Sequence, residues 1–159
     1  MNHFTFEKVQ GFVDSTVTGV FRTMMQLEVQ PQEPVPLSLL SESRVVSSVS
    51  FTGEKINGVV CLHISESYAV ELTAALLGMP CPEVSGHEMV NDAMGELANV
   101  VTGNIKSKFS DEGYPCLLSI PSIFRGNKIE VESTRHSHLH HFAYGDGSNT
   151  VLVELFLKS

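Results

Sequence analysis

The chain has 159 residues, with ten basic against eighteen acidic side chains and a formal charge of −8 at pH 7. So acidic a balance excludes nucleic-acid binding through clustered Lys and Arg, and it favours a protein partner or a small substrate. With 42% hydrophobic residues and a mean hydropathy of +0.08, the length suits one domain over residues 1–159 that buries a core without disulfide or metal.

No apolar run reaches the roughly 20 residues of a membrane span, and no signal-type apolar core follows the first residues. The expected setting is therefore cytoplasmic, with no membrane contact. Cys61, Cys81 and Cys116 are odd in number and widely spaced. They read as reduced thiols, buried or near the surface.

Phe6, Val9, Val13, Val17, Val20 and Met24 recur at three- and four-residue steps and predict a helix over residues 5–27. Pro31, Pro34 and Pro36 make the next stretch a connector. β-Branched runs predict strands over 43–52 and 57–64, joined by a turn at Gly53-Glu54-Lys55. Ser65 suits the N-cap of a helix that starts at Glu66 and stops at Gly78. A longer helix is expected over 87–109, followed by strands near 116–120, 128–132, 134–144 and 150–157. The recurrence of a long helix and a β-meander hints at a weak internal pseudo-repeat.

The long helix carries the informative pattern. Val90, Met94, Leu97, Val101 and Ile105 form its core stripe. Asp92, Glu96, Asn99 and Gly103 fall within about 60° of one another at 100° per residue, so two acids, an amide and a glycine share one exposed line. Gly95 and Gly103 each cost roughly 1 kcal/mol relative to Ala inside a helix, which points to another helix or a partner's backbone packing closely there.

The segment Asn-Asp-Ala-Met-Gly-Glu-Leu-Ala-Asn-Val-Val-Thr-Gly-Asn, followed later by Cys-Leu-Leu-Ser-Ile-Pro, resembles the CheC/CheX/FliY family of bacterial chemotaxis phosphatases. That family's signature is Asp or Ser, three residues, Glu, two residues, Asn, and a proline a little over twenty residues on. Asp92, Glu96, Asn99 and Pro121 match it, with 21 residues between the last two, about one fewer than the family spacing. The N-terminal helix has no Glu-x-x-Asn pair, and a single site on the long helix is the pattern of the CheX branch.

The resemblance implies an α+β fold of two layers, with long helices packed on a largely antiparallel sheet, and a homodimer. It implies a protein-aspartyl-phosphate phosphatase acting on a phosphorylated CheY-type receiver domain, with Glu96 and Asn99 catalytic and Asp92, Gly103 and Pro121 contacting the partner. No cofactor is expected on this chain; Mg2+ belongs to the regulator. The alternative is a non-catalytic dimeric binding module in the same signalling pathways.

Other patterns are weaker. His136, His138 and His140 alternate on an expected strand, but neighbours two apart are about 7 Å separated, long for one ion. A polar, titratable strand face is the ordinary reading. Ser119-Ile120-Pro121-Ser122 lacks a nucleophile elbow, and Gly145-Asp146-Gly147 lacks the residues of a phosphate loop. His63 reads as a hydrogen-bonded structural residue.

Overall fold

The computed structural model describes residues 4–37, 40, 42–132 and 137–158. In chain order the elements are α1 (Phe6–Met25), β1 (Gln30–Gln32), β2 (Arg44–Thr52), β3 (Asn57–Ser65), α2 (Glu66–Leu77), α3 (Gly86–Asp111), β4 (Leu117–Leu118), β5 (Ser122–Gly126), β6 (His138–Gly145) and β7 (Thr150–Lys158). The three helices pack on one face of a seven-stranded antiparallel sheet of order β1-β6-β7-β3-β2-β4, with β5 also paired to β2. The fold is α+β.

The capping residues act where the sequence places them. Thr5 accepts from the Lys8 amide and Ser65 from the Tyr68 amide, each satisfying a donor that the first helical turn leaves free. Gly78 closes α2 in the left-handed region at φ 66°, where a side chain would be strained. Of the inward residues of β2 and β3, Val45, Val49 and Phe51 with Val60, Leu62 and Ile64 join the core beneath the helices. Gly58 has to be glycine, since a Cβ there would lie 2.3 Å from Phe51 Cζ and 2.4 Å from the Phe156 carbonyl oxygen. The helix-plus-hairpin recurrence shows as β2–β3 and β6–β7 joined edge to edge through β3 and β7.

Four local expectations need correction. The proline connector contains β1, whose Pro31 sits opposite Tyr144 in an edge strand, a place where a missing N–H is tolerated. Residues 128–132 form no strand; β5 lies at Ser122–Gly126 instead, and β4 is only two residues long. Phe6 leaves the core stripe of α1: it is 52% exposed and stacks on His140 and Phe142, while Phe21 and Met25 take the buried positions. Gly95 and Gly103 lie against the chain's own β4–β5 segment and not against a second helix, as described below.

The outer face of the sheet also buries polar groups. Arg44 Nε donates to His63 Nδ1 at 3.2 Å, and His63 Nε2 lies 2.5 Å from Glu154 Oε1. All three residues are at most 3% exposed. Because Nδ1 accepts from the guanidinium, the imidazole carries its proton on Nε2 and bridges a buried cation to a buried carboxylate. This is the structural role expected of His63. The three cysteines are free thiols, Cys61 and Cys116 buried and Cys81 exposed. No helix among the described residues is long and apolar enough to cross a membrane.

Candidate functional site on α3

At 26 residues, α3 is about 39 Å long and lies between α1 and α2 over the β2 side of the sheet. Val90, Ala93, Met94, Leu97, Ala98, Val101, Ile105 and Phe109 bury one face along its whole length. Asp92, Glu96 and Asn99 stand exposed on the other face, each within one turn of the next. Among the described residues, none of these three side chains has a hydrogen-bond or ion-pair partner. Asn104, only five residues on, behaves differently: its amide donates back to the Val100 carbonyl at 3.0 Å. The Asn99 carboxamide makes no such local bond, so both its donor and its acceptor face solvent.

The two helical glycines accommodate the chain's own β4–β5 segment. A Cβ at Gly95 would lie 3.4 Å from Pro121 Cγ and 3.8 Å from Ile123 Cδ1, while one at Gly103 would lie 3.9 Å from Leu118 Cδ1. Pro121 thus packs one residue away from Glu96, and Gly103 is half-buried at the far end of the same line. Asp92, Glu96, Asn99, Gly103 and Pro121 are brought to one side of the molecule.

The bend that carries Pro121 is tied down at both ends. Ser119 exchanges two bonds with Ser50 of β2: its amide donates to the Ser50 carbonyl at 2.9 Å, and its Oγ accepts from the Ser50 amide at 3.0 Å. Arg125 of β5 donates to Glu66 Oε1 at 2.7 Å and to Asn91 Oδ1 at 2.6 Å. Asn91 directly precedes Asp92, so this guanidinium fixes β5 against α3 beside the exposed line. Bonds from Ser43 and then Arg125 hold the Glu66 carboxyl below its ordinary range. Ile120, at the bend, is 85% exposed. Sequence reasoning missed Asn91, Ser119 and Arg125, because β5 itself was not foreseen and no local spacing links them.

His136 lies outside the described residues, His138 is exposed, and His140 is buried between Phe6 and Phe142. Among the described residues, no group of three or more His, Cys, Asp or Glu is placed to hold an ion.

Residues 45–144 match the family model described as chemotaxis phosphatase CheX. A chemotaxis protein CheX from Vibrio vulnificus is similar in structure, with a TM-score of 0.80, 20% identity, and coverage of 97% of this chain and 99% of that one. A CheC-like superfamily protein from Shewanella sp. PV-4 aligns over 100% of both chains at 22% identity and a TM-score of 0.79. A structure from Borrelia burgdorferi, a CheX–CheY–BeF3–Mg2+ complex, aligns over 95% of this chain and 97% of that one at 17% identity and a TM-score of 0.75. No curated protein matches the sequence.

Proposed function

The chain belongs to the CheX family of chemotaxis phosphatases, and on that premise we propose that it hydrolyses the aspartyl phosphate of a CheY-type response regulator. The observation that carries this reading is the Asn99 carboxamide, exposed and, among the described residues, unpartnered on a helix whose opposite face is buried end to end. An acyl phosphate is already labile, and the regulator contributes its own divalent ion and lysine. The component to be added is an aligned water. The Asn99 amide oxygen accepts from that water while its amino group donates, so the nucleophile is aimed without a strong base. Glutamine orients water by comparable logic in Ras-type GTPases.

Glu96, one turn away, pairs in this proposal with the regulator's lysine and sets the depth at which the amide enters. A carboxylate in place of Asn99 would face the phosphoryl oxygens with like charge at close range. Asp92 extends the acidic edge, and Pro121 with Gly103 shapes the surface beside it. The CheX–CheY complex from Borrelia burgdorferi supports a receiver domain as the partner. A cytoplasmic setting follows from that partner.

The test is phosphate release from a phosphorylated CheY-type receiver domain. Asn99→Ala should lose most of the acceleration, a hundredfold or so by the usual weight of a positioning contact, with regulator binding nearly unchanged. Glu96→Ala should weaken binding and rate together. Release by Asn99→Ala at the parent rate would remove the amide from the mechanism.

We also propose that the single CheX-like domain over residues 1–159 pairs as a homodimer. The support is β6: β1 covers only Ala143–Gly145, and among the described residues no other strand pairs along the His138–Phe142 side. An open edge of that length templates a second copy. Sedimentation should give twice the chain mass; a monomer across the accessible concentration range would refute the pairing.

A further inference from the structure

The bend between β4 and β5 carries an apolar side chain in open water. Ile120 is 85% exposed, more than any other large apolar residue among those described. A scattered surface isoleucine is ordinary, but the setting of this one is not. The backbone is held on both sides of it. The Ser119 amide and Oγ are bonded to Ser50, Ser119 Oγ also donates to the Ile120 carbonyl at 2.9 Å, and Pro121 packs on Gly95. Ile120 is thus presented on a fixed frame. Pro121 follows it directly, and Gly95 directly precedes Glu96, so Ile120 stands at the border of the Asp92–Glu96–Asn99 line. Leu117 is nearly as exposed at 76%, but it points the other way. Its neighbour Leu118 turns toward Gly103 of α3, and successive strand residues alternate between faces.

We propose that Ile120 is the apolar anchor of the surface that meets the receiver domain. This rests on the phosphatase reading and adds to it the chemistry of the docking face. Two observations select the occupant. Asp92 and Glu96 are exposed acids without partners among the described residues, so a protein that brings a cation to them, as the regulator's lysine would, comes down on the border where Ile120 stands. A second copy at the β6 edge approaches elsewhere, since β7, β3 and β2 separate β6 from the β4–β5 bend. The receiver domain then has to offer an aliphatic or aromatic surface next to its phosphorylated aspartate. An apolar anchor beside charged contacts is the usual anatomy of a protein interface, and one ordered before contact loses little freedom on binding.

Titration with a panel of CheY-type receiver domains loaded with BeF3 and Mg2+, the additions present in the Borrelia burgdorferi complex, measures docking without turnover. Phosphate release from the phosphorylated domains measures the chemistry. Ile120→Ser should weaken binding at least about tenfold and raise KM in step, with kcat within about twofold of the parent. Its melting temperature should be unchanged, because the side chain is exposed in the free chain. Ile120→Val should stay within about fivefold of the parent affinity, and Leu117→Ser should bind as the parent does. Parent affinity in Ile120→Ser, beside a wild-type chain that hydrolyses the phosphate, overturns the anchor and leaves the phosphatase reading standing. A wild-type chain that neither binds nor hydrolyses overturns both. An equal loss in Leu117→Ser, or a dimer that falls to monomer on Ile120→Ser, also overturns the anchor, the latter by giving the side chain to a second copy.

Discussion

At the scale of single residues, α3 concentrates two opposed demands on glycine. Gly103 gives up helix propensity, yet nothing nearer than Leu118 Cδ1 at 3.9 Å would resist a methyl group there. Gly103→Ala should therefore stabilise the fold by roughly 0.5–1 kcal/mol and raise Tm by about 1–4 °C at this chain length. The same methyl would stand on the line that the proposed mechanism offers to a regulator, so affinity for a phosphorylated receiver domain should fall. Calorimetry beside a binding titration measures both effects. This site was legible residue by residue where helical spacing decides: Asp92, Glu96 and Asn99 share one face because 100° per residue requires it. Pro121 was legible only through family resemblance, because its contact with Gly95 bridges 25 intervening residues and a strand that the sequence hid.

At the scale of elements, β5 is the part least visible in the sequence. Its residues, Ser-Ile-Phe-Arg-Gly, are at best half-buried, so the alternation that betrays β2 and β3 is blunted. Its position comes from pairing with β2 and from Arg125, which reaches Glu66 and Asn91 across three elements. Arg125→Ala should free β5 from α3 and let Pro121 drift from Gly95. The expected cost is about 1–3 kcal/mol in urea unfolding, since two charge-assisted bonds at a partly buried site are lost. Phosphate release should fall while Asn99 and Glu96 remain in place. A variant that lost stability at unchanged activity would show that the β4–β5 bend does not contribute to the site. The helices and β2–β3, by contrast, were readable to within two or three residues, because caps and a continuous apolar period fix them.

At the scale of the whole molecule, burial of titratable rings sets a pH window. Desolvation first, and the nearby His138 second, push the His140 pKa below the ordinary 6.5. Burial also lowers His141, against a smaller opposing pull from Glu154 and with a further push from His63. The folded chain thus favours neutral imidazoles, while the unfolded chain takes up protons as pH falls through about 6.5. Stability is fully present above that point and declines toward pH 5, by at most about 1.4 kcal/mol per group per pH unit. Carboxylates with lowered pKa, such as Glu66 and Asp146, lose their contribution only further down, below about 4.5. His140→Phe keeps the ring stack on Phe6 and Phe142 and should flatten the upper part of the profile; thermal melts between pH 5 and 8 would show it.

The unequal burial of the three thiols has a practical corollary. Burial, with the Glu154 charge behind it, pushes the Cys61 thiol up to about 12, and burial raises Cys116 as well. Neither offers a thiolate near neutral pH, whereas Cys81 lies in the open on the turn that leads into α3. A maleimide dye should therefore attach at one position of the unmodified protein, providing a fluorescent reporter at the head of the helix without any engineering of the chain.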